Sequence, residues 1–439
     1  MRNLNEGTLR SLLGPDHVLP ASPLDAVLGV QPNLVVSPGT ETELAEVLRL
    51  ANEAGLVVIP RGGGTKLDWG NPPARADLIL STARINRVLE HAWADLTITV
   101  EAGCTVQTLQ ETLAQHGQRL ALDPLWPEKA TIGGVLSTND SGALRLRFGS
   151  LRDLIIGVTI ALPDGTLARS GGKVVKNVAG YDLPKLVTGA LGTLGVITQA
   201  VFRLHPLPRH TRSFSMSTAN PEETQKLVLT IQDSQLAHVA LQSHFSADSS
   251  PSTDILFEGT REGLDAQSAH LRTLCPSAKI SVAQGASPEA FSSITPWNAR
   301  QELWSTSDAV PVAQAFRPED VSSAIAKVSI LPADLASTVE LIRRISNSHA
   351  VPWKLLMQAT GLGWLCLEGG TGSLRDVLTS LRGELEKGGG SLVVLRRPAQ
   401  LFDFDAWGTP SDSVPLMKAV KHQLDPANTL NPGRFLSGI

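Results

Sequence analysis

The chain has 439 residues, 42% of them hydrophobic, with a mean hydropathy of +0.03 and a formal net charge of −4. It is long enough to bury the cores of two or three domains, and its charge excludes the broad basic surface that nucleic-acid backbones require. No apolar run reaches the roughly 18 residues of a membrane span and no signal-like segment opens the chain, so we expect a cytoplasmic protein.

The cysteines narrow the chemistry further. Cys104, Cys275 and Cys366 lie far apart, and none belongs to a CxxC pair. This spacing argues against a disulfide framework, structural zinc and an iron–sulfur cluster. Electrons that this protein receives would therefore have to leave through another carrier.

The first clear unit is "NLVVSPGTETELAEVLRLANEAGLVVIPRGGG". Thr40 and Glu43 have the spacing of a capping box, and apolar residues recur at helical intervals, which predicts a helix from Glu41 to Ala54 that ends at Gly55. The flanking β-branched runs predict strands on either side. This strand–helix–strand order places the loop "PRGGGTKLDWG" at the carboxyl end of a strand, where sheets with parallel strands bind ligands.

The glycine-rich loop has two interpretations. Glycine lets the oxygens of a ligand approach backbone N–H groups, which together form an anion-binding nest suited to a pyrophosphate. A tight turn that needs flexibility would use the same residues. The loop fits neither GxGxxG, because Leu67 stands at the third glycine, nor GxxxxGK[ST].

Three more turns rich in glycine or small residues follow: "ATIGG", "NDSGA" and "GALGTLGVIT". They alternate with β-branched segments. "VTIALPDGTLA" predicts a hairpin that turns at Asp164-Gly165, and Gly195 to Thr198 would begin the strand that leaves this region. Pro206 and Pro208 then mark a boundary. Chain reversals alone do not account for so many glycine-rich turns close together, which indicates that a large ligand binds among them.

After this boundary the pattern changes. "STANPEETQKLVLTIQDSQ" and "GLDAQSAHLRTLC" predict helices, whereas "VALQSHF" and "DILFEG" predict strands. The later segments "VSSAIAKVSILPADLASTVELIRRISNS" and "SLRDVLTSLRGELEKGGGSLVVLRRP" continue the alternation. We therefore expect an antiparallel sheet backed by helices, which makes the whole chain an α+β protein.

These residues resemble a known family. "IPRGGGTK", "DPLWPEKATIGGVLSTN" and "GYDLPKLVTGALGTLGVIT" are similar to the FAD-binding domain of the vanillyl-alcohol oxidase / p-cresol methylhydroxylase (PCMH) superfamily. "GGKVVKNVAGYDLPKLVTGALGTLGVIT" and "LDPANTLNPGRF" look most like the FAD-binding subunit of bacterial glycolate oxidase. The resemblance implies a two-subdomain PCMH-type FAD-binding domain over 28–208 and a cap domain over 209–396. Segments 1–27 and 397–439 flank them, and the latter returns towards the first domain.

The resemblance also assigns residues to FAD, with the glycine-rich loop around the pyrophosphate. Asn431 is a candidate flavin neighbour, although it could equally belong to a rigid surface turn. The implied FAD-binding residues are Arg61, Gly62, Gly63, Gly64, Thr65, Asp123, Pro124, Thr131, Gly133, Gly134, Ser137, Thr138, Asn139, Gly192, Gly195, Val196, Ile197 and Asn431.

One departure from the family concerns how FAD is held. Many relatives attach FAD covalently through a histidine in an RSGGH-like segment. Thr65 and Lys66 occupy the corresponding places here. We therefore expect noncovalent FAD.

The substrate side is less determined. A 2-hydroxy acid would favour an arginine for its carboxylate, and Arg300 in "ITPWNARQELW" matches a W-x-x-R cap segment of related dehydrogenases. Trp297 and Trp304 could be core residues and Arg300 a surface cation instead. Arg396, Arg397 and Lys354 are weaker candidates.

The catalytic base is not evident. Related D-2-hydroxy-acid dehydrogenases supply it, together with metal ligands, from an HxGDGNxH-like segment, whereas this chain has "QATGLGWLCLEGG". The histidines in or near the cap are isolated and lack metal-ligand spacing, so we name no base and expect no metal. These histidines are His205, His210, His244, His270 and His349.

The resemblance implies a subunit of a glycolate-oxidising complex, a hetero-oligomer with a second flavoprotein and an iron–sulfur subunit. In that setting the chain would take part in glycolate catabolism and pass electrons from flavin to a partner. Two alternatives stay open: a noncatalytic assembly or electron-relay subunit, and a stand-alone FAD oxidase of another hydroxylated substrate. Neighbouring reading frames for a second flavoprotein with the histidine-rich segment and for a cysteine-rich iron–sulfur protein would support the complex.

Overall fold

The structure is a computed structural model that describes residues 6–173, 180–276, 278–283, 297–304 and 323–439. Residues 174–179, within the segment that carries the family resemblance, lie outside this part of the chain, as do 284–296 and 305–322 of the predicted cap. The described residues form sheets of four, five and eight strands and a short strand pair. Short 3-10 turns cover Pro15–His17, Pro23–Asp25, Trp93–Asp95, Pro332–Asp334, Ala399–Leu401 and Leu436–Gly438.

The first sheet has the order β1-β2-β4-β3, and its last three strands are parallel. Thr40 caps the predicted helix by accepting the Glu43 N–H at 3.1 Å, and Gly55 follows the helix with φ 66°. The predicted strand–helix–strand unit is thereby confirmed. Its elements are α1 (Glu6–Leu13), β1 (Val18–Pro20), β2 (Leu34–Val36), α2 (Glu41–Glu53), β3 (Val58–Arg61) and β4 (Leu78–Ser81).

The second sheet is antiparallel with the order β5-β6-β10-β8-β9. The predicted hairpin at Asp164-Gly165 and the strand after Gly195 are confirmed as β8–β9 and β10. The strands are β5 (Val88–Ala92), β6 (Thr97–Glu101), β8 (Ile155–Ala161), β9 (Leu167–Gly171) and β10 (Val196–Arg203), and a separate pair joins β7 (Gln118–Arg119) to β11 (His205–Pro206). The helices are α3 (Val106–Ala114), α4 (Ile132–Thr138), α5 (Arg145–Phe148), α6 (Leu151–Leu154) and α7 (Leu183–Val187).

The third sheet is the expected antiparallel cap sheet, with the order β15-β12-β14-β13-β17-β18-β16-β19. Its helices α8, α9, α11 and α12 bury apolar residues against one face, and the other face turns towards the first two sheets. Its elements are β12 (His210–Ser217), α8 (Pro221–Gln232), β13 (His238–Ser246), β14 (Ser252–Gly259), α9 (Arg261–Leu274), β15 (Lys279–Ala283), α10 (Ala299–Glu302), β16 (Ser323–Ser329), α11 (Leu335–Ser348), β17 (Trp353–Gln358), β18 (Leu362–Glu368), α12 (Thr371–Lys387) and β19 (Ser391–Arg396).

The C-terminal segment returns to the first sheet. After α13 (Val414–Leu424), the backbone N–H of Val58 in β3 donates to the Thr429 carbonyl at 2.8 Å, and the Asn431 N–H donates back to the Val58 carbonyl at 3.1 Å. This backbone pairing carries Asn431 to the strand that leads into the glycine-rich loop. None of the helices in the described residues is long and apolar enough to cross a bilayer.

Candidate functional site

A narrow cleft runs between the first two sheets. Its walls are the glycine-rich loop after β3, the first turn of α4, the turn before β10 and the C-terminal segment. Fifteen of the eighteen residues that the sequence assigned to FAD line this one cleft: Arg61, Gly62, Gly63, Gly64, Thr65, Thr131, Gly133, Gly134, Ser137, Thr138, Gly192, Gly195, Val196, Ile197 and Asn431. The cleft also has lining residues that the sequence did not suggest, such as Lys66 and Arg434.

The other three assigned residues lie elsewhere. Asp123 and Pro124 line a second cavity on the cap side. Asn139 ends α4 in a left-handed conformation with φ 49°, and its Oδ1 is buried without a hydrogen-bond partner. The cleft thus brings fifteen of the assigned residues together, while Asp123 and Pro124 face the cap, and the binding of FAD by these residues stays a prediction.

The glycine-rich loop needs glycine because it passes very close to its neighbours. A Cβ on Gly62 would lie 2.0 Å from the Thr131 Oγ1, and one on Gly63 would lie 1.8 Å from the Lys129 carbonyl oxygen. Neither distance leaves room for a side chain. The loop is therefore held flat against the segment that leads into α4.

This loop has unused hydrogen-bond donors. The backbone N–H groups of Gly63, Gly64 and Thr65 donate to no acceptor among the described residues, although they line the cleft. Successive N–H groups of this kind bind the oxygens of phosphates. The Oδ1 of Asn431, also in the cleft, is a buried acceptor without a partner. These groups fit a diphosphate with a polar, hydrogen-bonding remainder, as in FAD.

The C-terminal segment holds the other side of the cleft. The Asn431 side chain donates to the Leu191 carbonyl at 2.5 Å, and the Arg434 guanidinium donates to the Leu67 and Trp69 carbonyls, each at 2.6 Å. Asn431 thus anchors the turn before β10, and Arg434 anchors the end of the glycine-rich loop. A displacement of this segment would open the cleft on both sides.

A buried ionic cluster closes the cap end of the cleft. The Lys66 ammonium lies 3.3 Å from one oxygen of Asp140, and the Arg300 guanidinium donates to the other at 2.8 Å. Burial raises the pKa of Asp140, but Arg300 and Lys66 outweigh it and hold that pKa below its usual range. Burial lowers the pKa of Lys66, because it disfavours the charged ammonium group. The cluster joins the FAD-side loop directly to the cap.

Arg300 lines the cavity on the cap side. Its guanidinium also donates to the carbonyls of Ser141 at 2.9 Å and Asp123 at 2.7 Å, and it lies 4.9 Å from the ring centre of Trp364. Most of its donors are thus used within the protein. The surface position allowed by one of the sequence interpretations is wrong, because Arg300 is only 6% exposed. The predicted contact of Arg300 with the carboxylate of a substrate stays a prediction.

The second cavity lies between α3, the segment 120–127 and the cap sheet, with a volume of about 440 Å³. Asp123 lines it and accepts the N–H groups of Gly142 at 3.0 Å and Leu144 at 3.4 Å. Burial raises the pKa of Asp123 to about 6, against the opposing effects of Arg300 and these N–H groups. This carboxyl group therefore titrates close to neutral pH.

Lys327 of β16 is not among the residues that the sequence suggested. It lies in register with Trp364, on the sheet face towards the first domain, and burial lowers its pKa to about 8. Its ammonium has no hydrogen bond or ion pair among the described residues. The sequence feature that could have indicated a buried lysine is its place in the apolar run "SAIAKVSI", on the same strand face as Ile325.

No three His, Cys, Asp or Glu side chains of the described residues are grouped so as to hold a metal ion. All three cysteines are buried, and none of them forms a disulfide. The expectation of no metal stays a prediction.

Comparison with known proteins follows the same division of the chain. A family model described as "FAD binding domain" matches residues 32–171. The glycolate oxidase subunit GlcD of Bacillus subtilis is 36% identical over 177 residues, which are 40% of this chain and 38% of that protein. The D-lactate dehydrogenase of Archaeoglobus fulgidus is 33% identical over 210 residues, 48% of this chain and 47% of that protein. The chain thus spans less than half the length of these two relatives.

A longer but weaker match is the D-2-hydroxyglutarate dehydrogenase of Xanthomonas citri pv. viticola, 25% identical over 424 residues, or 92% of this chain and 89% of that protein. Among solved structures, substrate-bound p-cresol methylhydroxylase superposes with a TM-score of 0.75 at 17% identity, covering 98% of this chain and 95% of that one. At this identity the superposition shows a shared fold.

Proposed function

Because the chain carries a FAD-binding domain of the p-cresol methylhydroxylase type, we propose that it is a FAD-dependent dehydrogenase of 2-hydroxy acids. Its relatives are named for glycolate, D-lactate and D-2-hydroxyglutarate, which share the 2-hydroxy-acid group. Glycolate is our first choice of substrate, from the resemblance to the glycolate oxidase FAD-binding subunit.

The observation that carries the choice of an acid is the charge at the cap end of the cleft. Lys66, Arg300 and Lys327 are three cations near Asp140, and Arg300 also lies near Asp123. Lys66 and Arg300 each contact an oxygen of Asp140, whereas Lys327 makes no ion pair with a described residue, so its positive charge has no direct partner there. A buried uncompensated charge is costly, so this region favours a ligand with one carboxylate.

The residues of the chain then have separate roles. The N–H groups of Gly63, Gly64 and Thr65 would hold the diphosphate. The cleft residues would hold FAD, which would supply the hydride-accepting chemistry for oxidation at the carbon that carries the hydroxyl. Asp123 is our candidate acceptor for the hydroxyl proton, because it lines the cavity and its pKa of about 6 suits a base at neutral pH. The product would be the 2-oxo acid.

Anaerobic flavin bleaching tests this function. The purified protein, loaded with FAD, is mixed without oxygen with glycolate, D-lactate or D-2-hydroxyglutarate, and the visible flavin band is followed. We expect at least one acid to bleach it, and Asp123→Asn to slow the bleaching about 100-fold or more. Failure of these three acids and of gluconate, both alone and with partner proteins, would contradict the proposed function.

We further propose that the chain works in a complex with a second flavoprotein and an iron–sulfur protein, in the cytoplasm or at the inner face of the membrane through these partners. One relative is itself named as a subunit, which supports this assignment. Bleaching that appears only after a partner is added would favour the assembly or electron-relay alternative. Turnover with oxygen and no partner would favour a stand-alone oxidase.

FAD should be bound without a covalent link. Thr65 and Lys66 occupy the places where relatives with covalently attached FAD have the histidine. Neither residue offers an imidazole to the flavin. After precipitation with trichloroacetic acid, all flavin absorbance should be in the supernatant. A yellow pellet that survives washing would contradict this prediction.

A further inference from the structure

The second cavity is larger than a small hydroxy acid such as glycolate needs. Its volume of about 440 Å³ falls in the range of roughly 300–1,000 Å³ that is typical of sites for much larger ligands. Asp123 and Arg300 form its inner wall, and it extends from there along α3 and β17. A 2-hydroxy acid whose carboxylate lies at this inner wall would leave most of the cavity to the rest of the molecule.

The rest of the cavity offers no unpaired cation among its described lining residues. Arg119, its other lining cation, makes a bidentate ion pair with Glu258, at 2.8 and 2.5 Å, and both side chains are largely buried. The acid at the rim, Glu111, accepts a hydrogen bond from Gln107 at 2.7 Å. A second carboxylate on the ligand would therefore meet no unpaired cation among the described lining residues.

Amide side chains dominate the polar lining instead. Seven of the described lining residues are Gln or Asn. Gln358 of β17 is only 4% exposed, yet its side-chain amide makes no hydrogen bond with any described residue. This amide borders the cavity and can both donate and accept hydrogen bonds, so the position suits a ligand that offers both acceptors and donors. Hydroxyl groups offer both.

We propose that the substrate of this site is a 2-hydroxy acid with a neutral polyhydroxylated chain, whose hydroxyl groups bond to Gln358 in the second cavity. This proposal rests on the proposed function, because it places the acid group at the cap end of the cleft. The cavity thus favours a longer, monocarboxylic acid over glycolate, the substrate that the family resemblance alone suggests, and over a dicarboxylic hydroxy acid.

Ligand-induced thermal stabilisation of the FAD-loaded protein tests it without requiring turnover. Gluconate, glycolate and D-2-hydroxyglutarate are titrated separately, and the rise in Tm gives each Kd. We expect gluconate to bind at least about tenfold more tightly than either other acid. Gln358→Leu should remove about tenfold of gluconate affinity and leave glycolate affinity unchanged, because it deletes the proposed hydrogen bonds at similar volume. Gln115→Leu, an exposed glutamine beyond the cavity, is the matched control and should change neither.

Each other result has a distinct meaning. Equal affinities for gluconate and glycolate, tighter binding of D-2-hydroxyglutarate, or an equal effect of Gln358→Leu on all three acids would overturn the polyhydroxy proposal and leave the proposed function standing. Absence of both stabilisation and anaerobic flavin bleaching by all three acids would reject the proposed function and this proposal with it.

Discussion

Gly63→Ala is expected to abolish FAD binding. The new Cβ would lie 1.8 Å from the Lys129 carbonyl oxygen, which is backbone and cannot rotate away, so the loop must move. That movement displaces the N–H groups of Gly63, Gly64 and Thr65 from the cleft. Hydrogen bonds to charged groups contribute about 1.5–3 kcal/mol each, so we expect FAD affinity to fall at least about 100-fold. Fluorescence titration of the apoprotein with FAD measures the change.

The matched control is Gly372→Ala. Gly372 lies in α12, where an added Cβ would meet nothing within 4 Å, and alanine suits a helix better than glycine by about 1 kcal/mol. This variant should bind FAD normally. Circular dichroism of both apoproteins separates lost binding from lost folding. Normal FAD affinity in folded Gly63→Ala would contradict the proposed role of the loop.

The cofactor cleft could be predicted from sequence because its construction is local. A capped helix, β-branched strands and glycine turns each have short-range signals, and parallel strands bring their carboxyl ends to one edge. The family resemblance then assigned residues as distant as Gly62 and Gly195 to one site. Their chain positions alone would not have shown how close Gly62 comes to Thr131.

The cap side could not be predicted in the same way. Whether Arg300 faces water, substrate or Asp140 depends on how the cap packs against residues 123–141, and no spacing rule encodes that packing. Lys327 needed the same information, because its strand position gives a face but not what covers that face. Gln358 and the amide-lined cavity likewise exist only between elements that are distant in sequence. Charged residues whose local sequence predicts exposure to solvent are removed from it by these long-range contacts.

Lys327→Met is expected to make the apoprotein more stable at pH 7. The pKa of Lys327 is lowered from 10.5 to about 8 by burial, with further opposition from Arg145 and Arg300 and partial relief from Asp140. The folded state therefore penalises the charged lysine, by about 3 kcal/mol when each pKa unit is worth 1.36 kcal/mol. Urea unfolding at pH 7 measures the gain. Lys279→Met, an exposed lysine on an edge strand of the same sheet, should give none.

The same variant should lose affinity for hydroxy acids, since it removes the one positive charge that the surrounding carboxyl groups leave uncompensated. Between pH 8 and 10.5 the unfolded chain binds more protons at Lys327 than the folded protein does, so the wild type gains stability there and its deficit against Lys327→Met shrinks. A buried lysine kept only for packing would show this pH-dependent deficit without any change in ligand affinity. Loss of at least about tenfold in hydroxy-acid affinity, together with higher stability, is therefore the combination expected of a cation retained for its ligand. Lower stability of the variant at pH 7, or unchanged affinity, would contradict that role.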